Sequence, residues 1–503
     1  MSVNYCSTGY PAPPSTNLNQ REIMLSFAYL AYTGEGITTA NPCPQILEQL
    51  NTSMAQIPPL QIAGTTTSAW EIVWGPVAYT VPGAIYQDNM MFIAKNTEAS
   101  GTPQYVLAIR GTNFASEVDW LVEDFNVVNT VCWPLASTTP SAGAMISESA
   151  SIDMNILLYN MTDSVTTQLS LIDFLSSITS EPINICVTGH SLGGMLASTM
   201  ALYLLENQST WDNSNNTAST VAFVSFAAPT AGNAAFAAYS NTMFQNAARP
   251  LGTSWDSNLN TNGDVVQCSL DIAPYFYTSS NIYTNSDDDS ELIAGPLFSI
   301  YNDTFNFSNL VLIEKKEWEA FQSTVLAGLA ALTLNNNYTQ LATCGPALTG
   351  VYNGPGPASS TFSDYLGAFV SQAIWQHSNS YPNIFNLCQQ LLDPAIIVRN
   401  SPFLTSITPA GAKRLDSEPV VPISISGYNL TGLSNLFVYA GPWITVSNPP
   451  VLNEAGDTLT TSFVINKSKA YSAPLPVSVT VSGISGIGTV TSSAVVFTIE
   501  YEI

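Results

Sequence analysis

Apolar residues recur at helical spacing from Leu18 to Tyr32 and again from Gln45 to Ala55, which predicts two helices separated by a Pro- and Cys-bearing stretch. The period then shortens. Met90 to Ala94 and Tyr105 to Ile109 are continuous apolar runs joined by the turn-rich segment Asn96 to Pro103, and they read as a hairpin or as two neighbouring strands. Helical patterns follow over Glu148 to Tyr159 and Ser164 to Ile178. Next come strand Ile183 to Thr188, a Gly-rich turn, helix Met195 to Glu206, strand Val221 to Ala227 and helix Asn233 to Phe244. Val265 to Leu270 reads as a further strand, and Phe362 to Trp375 as a late helix. Strands alternating with helices predict an α/β fold with a mostly parallel sheet.

From about Ser401 the texture changes to short β-branched runs separated by Gly, Asn and Pro: Val420 to Gly427, Leu436 to Tyr439, Leu459 to Ile465, Val477 to Val481 and Ala494 to Tyr501. A stretch of roughly 100 residues of this kind has the size of one β-sandwich. The pattern therefore predicts two domains, 1–398 and 401–503, meeting between Val398 and Phe403, with an insertion at about 275–360 in the first. Within the insertion, Leu310 to Leu332 is helical and ends in an apolar run that reads as a packed core helix, with a cap over a pocket as the alternative.

Composition sharpens this. Hydrophobic residues make up 46% of the chain and Asp, Glu, Lys and Arg only 9%, against roughly 25% charged in ordinary domains. The polar surface is therefore mostly neutral, which suits an extracellular setting. With 11 Lys and Arg against 36 Asp and Glu, the net charge of −25 argues against nucleic acid as a partner. It also disfavours adsorption to anionic membranes, so a lipid partner is expected to be neutral. The N-terminus has neither a basic start nor an apolar run, so no signal peptide is visible. The longest helical apolar stretch, Val325 to Leu334, is too short to span a bilayer, and no stable membrane insertion is expected.

Seven cysteines leave at least one thiol unpaired, and Cys186, inside an apolar strand pattern, is the best candidate. There is no CxxC, there are only two histidines, and the acidic loop Ser286 to Glu291 reads as solvated rather than as a calcium site, so no metal or cofactor is predicted.

Gly189-His190-Ser191-Leu192-Gly193-Gly194 fits G-x-S-x-G between a β-branched strand and a helix. Such a turn needs small flanking residues because the serine backbone is strained. It lifts the hydroxyl to the carboxyl end of the sheet, where the N–H of the next residue, Leu192, can face an oxyanion. A nucleophilic Ser191 needs a base. His190 lies in the turn itself, which leaves His377, late in the chain as the order Ser, Asp, His requires. The orienting acid is Asp271 or Asp264, with Asp256 a third choice. Catalytic groups gather at the carboxyl ends of strands, which favours Asp271, at the end of the predicted Val265 to Leu270 strand. A second oxyanion donor is expected in the loop after strand Tyr105 to Ile109, where Thr112 offers an N–H and a hydroxyl.

Five stretches together resemble the class 3 lipases: Leu107-Ala-Ile-Arg-Gly-Thr112, Val187-Thr-Gly-His-Ser-Leu-Gly-Gly194, Phe226-Ala-Ala-Pro-Thr-Ala-Gly-Asn233, Leu270-Asp-Ile-Ala-Pro274 and Gln376-His377. The resemblance implies an α/β-hydrolase fold and hydrolysis of lipid esters at an interface. It further implies a catalytic triad of Ser191, Asp271 and His377, an oxyanion hole from Thr112 and Leu192, and a lid at about Asn113 to Leu121. The nearest rival activities are phospholipase A1, feruloyl or polyester esterase and acyltransferase, and a binding protein on an inactive hydrolase scaffold is the rival outside enzymes. The segments Ser406-Ile-Thr-Pro-Ala-Gly411 and Ile425-Ser-Gly-Tyr-Asn-Leu430 resemble an immunoglobulin-like IPT/TIG domain, read as a spacer or stabilising module in preference to a carbohydrate or surface binder.

Overall fold

In the computed structural model the described residues fall within 6–80, 89–111, 129–247, 262–275, 315–320, 337–352, 361–397 and 403–500, several of these ranges with short internal gaps. Six strands build the main sheet: β1 (Trp70–Tyr79), β2 (Asn89–Asn96), β3 (Gln104–Ile109), β6 (Asn184–His190), β7 (Thr220–Phe226) and β8 (Gly263–Val266), in spatial order β1-β2-β3-β6-β7-β8. The intervening β4 (Thr130–Cys132) and β5 (Met145–Ser147) form a separate two-stranded ribbon. The first three strands of the main sheet are antiparallel neighbours, and from β3 onward the pairing is parallel.

Both faces of the sheet are covered, which is why its central strands read as unbroken apolar runs. On one face Ile93, Leu107, Ile185 and Val187 pack against α3 (Glu148–Asn155), α4 (Leu171–Ser177), α5 (Leu192–Glu206) and α6 (Ala234–Asn246). On the other, Phe92, Val106, Cys186 and Val224 meet α1 (Leu18–Leu30), α2 (Cys43–Met54) and the segment from Tyr381 to Ile397. The late helix, α7, runs Phe362–Ser378.

One strand is added to the sequence reading and two expectations are corrected. The edge strand β1 was not anticipated, because Gly75-Pro76 breaks its apolar pattern; the sheet tolerates the proline where the β1–β2 register shifts, between Trp74 and Val77. The helix expected from Ser164 begins only at Leu171: Asp163 accepts from the backbone N–H groups of Val165, Thr166 and Thr167, and Gln168 sits at φ 61°. The strand expected from Val265 to Leu270 is Gly263–Val266, so Asp264 lies inside it and Asp271 on a turn beyond it. That turn is held by the returning end of the insertion, where Leu348 N–H donates to the Gln267 carbonyl at 2.7 Å and Ser269 N–H to the Leu348 carbonyl at 2.8 Å. The apolar run Val325 to Leu332 and the acidic loop Ser286 to Glu291 lie outside the described residues.

The C-terminal region is all strand: β9 (Phe403–Thr408), β10 (Gly411–Lys413), β11 (Val420–Tyr428), β12 (Ser434–Tyr439), β13 (Ile444–Leu452), β14 (Thr458–Ile465), β15 (Leu475–Ser485), β16 (Gly488–Thr491) and β17 (Val495–Glu500). They form one sheet in order β13-β14-β11-β9 and another in order β10-β17-β15-β12, with β16 beside β15. The sheets share a core in which Phe463 and Phe497 meet edge to face, ring centroids 5.3 Å apart. Strands β10 and β17 lie against α7.

A disulfide joins Cys6 to Cys388. Cys186 is a free buried thiol, and so are Cys43 and Cys268, while Cys132 is free and exposed. Among the described residues no helix is long and apolar enough to cross a membrane.

Candidate active site

Strand β6 delivers Ser191 into a sharp turn before α5. The serine adopts φ 60°, ψ −132°, a left-handed conformation that L side chains rarely take. Its own N–H donates to the Phe226 carbonyl at 3.0 Å, and its carbonyl accepts from Gly194 N–H at 2.9 Å. Close approach explains the flanking glycines. A Cβ on Gly189 would stand 2.2 Å from the Gly193 carbonyl oxygen, and one on Gly193 would stand 2.4 Å from the Ile109 carbonyl oxygen and 2.6 Å from the Gly111 nitrogen. The elbow is thus pressed directly against the end of β3.

The structure brings His377 and Asp271 to this serine. His377, in the last turn of α7 rather than beyond the helix, places Nε2 2.9 Å from Ser191 Oγ. Its Nδ1 lies 3.2 Å from each oxygen of Asp271. All three side chains are buried. Asp271 is held from two further sides: Ala273 N–H donates to Oδ1 at 3.0 Å and the Tyr381 hydroxyl donates to Oδ2 at 2.8 Å. Tyr381 in turn accepts from Cys268 N–H at 3.0 Å. Burial, reinforced by the adjacent Asp271 charge, pushes the Tyr381 hydroxyl well above the usual phenol range, so it remains a donor throughout any working pH.

Asp264 is engaged elsewhere. Its carboxylate forms a bidentate pair with Arg21 from α1, at 2.7 Å to Nε and 2.9 Å to Nη2, both side chains buried. Asp256, Thr112 and the expected lid Asn113 to Leu121 lie outside the described residues, although the described Gly111 already abuts the elbow. Leu192 stands at the first position of α5, so its N–H is among the helix's N-terminal donors. Among the described residues no cluster of three or more His, Cys, Asp or Glu side chains is arranged to hold a metal ion.

Two buried partners escaped the sequence reading, Tyr381 and Tyr32. Tyr381 lies one helical turn beyond His377, a spacing that alone could have drawn notice. Tyr32, which follows α1, places its hydroxyl 3.2 Å from both Nδ1 and the carbonyl oxygen of His190, a contact that no local pattern announces.

Comparison with known proteins finds lipases. The profile of the class 3 lipase family matches residues 106–252. The M37 lipase structure is 28% identical, with a TM-score of 0.53, over 75% of this chain and 96% of its own. The Lip2 lipase of Yarrowia lipolytica is 20% identical over 54% of this chain and 76% of its own, with a TM-score of 0.34. Nothing among curated proteins matches. The matched segment runs from β3 through the elbow to the residues beyond α6, and with the M37 likeness it supports a carboxylic-ester hydrolase of the class 3 lipase family, on an α/β-hydrolase fold.

Proposed function

We propose that the protein is a serine ester hydrolase that cleaves neutral acylglycerols or related esters through an acyl-enzyme on Ser191. The observation that carries this reading is the 2.9 Å contact between Ser191 Oγ and His377 Nε2 at a strained elbow, with Asp271 behind the imidazole. His377 takes the serine proton as Oγ attacks the ester carbonyl. The tetrahedral oxyanion is held by the Leu192 N–H and by Thr112, aided by the positive end of α5. Collapse expels the alcohol, which receives the proton from His377. Water then repeats the attack on the acyl-enzyme, with His377 again as base, and releases the acid. Asp271 keeps the Nδ1 proton in place and stabilises the imidazolium.

The net charge of −25 supports a neutral rather than anionic substrate surface. Turnover on neutral emulsions should therefore exceed that on anionic phospholipid vesicles, and equal or faster turnover on the vesicles would overturn that part. The Cys6–Cys388 bridge supports an extracellular setting, since such bonds persist in oxidising compartments. Two sheets around one core support an immunoglobulin-like module at 401–503 joined to a hydrolase domain at 1–398, and the contact of β10 and β17 with α7 supports a stabilising role for it.

The test is hydrolysis of p-nitrophenyl esters from short to long acyl chains by the intact protein and by Ser191→Ala. Activity should vanish in the variant. Undiminished activity there would refute the mechanism.

A further inference from the structure

The second histidine of the chain is unassigned by the mechanism. His190 is fully buried, and its Nε2 lies 2.8 Å from the carbonyl oxygen of His377, with the two rings 4.8 Å apart between centroids. That carbonyl, and the carbonyl of Ser378 after it, belong to the last turn of α7, where a helix runs out of its own N–H donors. Both are taken up by side chains. The Tyr29 hydroxyl donates to the Ser378 carbonyl at 2.6 Å, and a carbonyl only accepts, so His190 Nε2 must carry a proton and donate to His377. The other ring nitrogen lies 3.2 Å from the Tyr32 hydroxyl, which also donates to the His190 carbonyl at 3.2 Å.

We propose that His190 is a positioning residue for His377: its imidazole, donating from Nε2, fixes the backbone of the base from within the nucleophile elbow, and Tyr29 fixes the next carbonyl. The inference rests on the triad reading above. Its physical content is that Ser191 and His377 do not meet through side chains alone. The residue before the nucleophile is tied to the backbone of the base, so a shift of either one moves the other. Without that tie, the end of α7 is free to relax by a fraction of an ångström, and the 2.9 Å contact between Ser191 Oγ and His377 Nε2 lengthens. A misplacement of about 1 Å in such a pair costs about 10²-fold in rate.

The test compares His190→Phe, which keeps a flat ring and removes the donor, with His190→Gln, whose amide nitrogen reaches about as far as Nε2. Expected for His190→Phe is a kcat lower by roughly 10- to 100-fold with KM little changed. Covalent labelling of Ser191 by a p-nitrophenyl phosphonate should slow in proportion. His190→Gln should recover most of both rates. Tyr29→Phe, which removes one hydroxyl while keeping the ring, gives an independent reading should His190→Phe not fold; it should lower kcat severalfold at unchanged KM. Wild-type kcat in His190→Phe, or a His190→Gln protein that folds yet falls as far as His190→Phe, would overturn the proposal. If His190→Phe does not fold, wild-type kcat in Tyr29→Phe would overturn it as well. Ser191→Ala separates the two levels: activity that survives it removes the triad reading itself, whereas its loss together with a fully active His190→Phe removes only the positioning role.

Discussion

Two buried aspartates, Asp264 and Asp271, stand seven positions apart, and the proposed mechanism gives them opposite kinds of work. Changing each to Asn separates the two. In Asp271→Asn the amide cannot accept from Ala273 N–H, Tyr381 Oη–H and His377 Nδ1–H together, because one of its two termini is now a donor. The imidazole then swings to the tautomer with its proton on Nε2, the nitrogen that must take the Ser191 proton. An amide in that place costs a serine hydrolase about 10⁴ in kcat, or about 5 kcal/mol at 1.36 kcal/mol per decade. The fold should persist, since the neighbours of the carboxylate are neutral donors.

In Asp264→Asn the loss falls on stability. Arg21, itself only 3% exposed, keeps a buried guanidinium facing a neutral amide, which costs about 3–5 kcal/mol. For a cooperative unit of about 400 residues that corresponds to a fall in Tm of roughly 5 °C. The assay is kcat on a soluble short-chain ester beside a thermal melt for each purified variant. A catalytically dead but well-folded Asp264→Asn, beside an Asp271→Asn that merely melts earlier, would refute the assignment.

Three further outcomes follow from the packing. Gly193→Ala places a Cβ within 2.4–2.7 Å of backbone atoms of Ile109, Gly111 and Arg110, so the elbow and the end of β3 must part; kcat should fall about 10²-fold in protein of normal far-UV circular dichroism, and wild-type kcat would contradict it. Replacing Cys6 by Ala should lower stability by about 2–4 kcal/mol, read as an earlier melt that added reductant no longer changes. The carboxyl of Asp163 is pushed up by burial but more strongly held down by hydrogen bonds from Thr166, Val165 and Thr167, and its pKa is lowered below the ordinary 3.8. A lowered carboxyl stabilises the fold above that ordinary value and loses the contribution as pH falls through the folded one. Asp163→Asn should therefore melt well below wild type at pH 7, with the gap narrowing as pH drops below about 4; a gap independent of pH would refute this.

How far the site could be read from sequence depends on how local its causes are. The elbow is largely local: Gly189 is dictated by its approach to Gly193 and Ser191 by one backbone angle, and although Gly193 is required by the distant end of β3, the residue pattern states all three directly. The choice between Asp264 and Asp271 rested on a strand boundary that the structure moves. Leu348, from the far end of the insertion, pairs beside Cys268 and turns the chain after Val266, so Asp271 stands at the site from a turn rather than from a strand end. The helix expected from Ser164 fails at Gln168, whose φ of 61° a right-handed helix cannot accommodate, and the helix starts only at Leu171 behind its Ser170 cap. The Cys6–Cys388 pairing spans 382 positions and has no sequence spacing to betray it.

The part least visible in sequence is the role of α1, which holds none of the three candidate triad residues yet touches every segment that carries one. Its Met24 carbonyl accepts from Thr188 on the strand that ends at the elbow, and Arg21 pairs with Asp264 on the strand before the Asp271 turn. Tyr29 reaches the last carbonyl of the His377 helix, and Tyr32, just past α1, reaches His190. The chain start is then fastened to the residues following His377 by the Cys6–Cys388 bridge and by Ser7 N–H donating to Asn383 Oδ1 at 2.7 Å. Strands β6 and β8 are parallel members of one sheet with β7 between them, so the sheet sets their spacing. The helix carrying His377 belongs to no sheet ladder. Its end is tied by hydrogen bonds to Tyr29 of α1 and to His190, and the segment after it to the Asp271 turn by Tyr381, which is why a mostly buried N-terminal helix, ordinary by its sequence, belongs to the construction of the site.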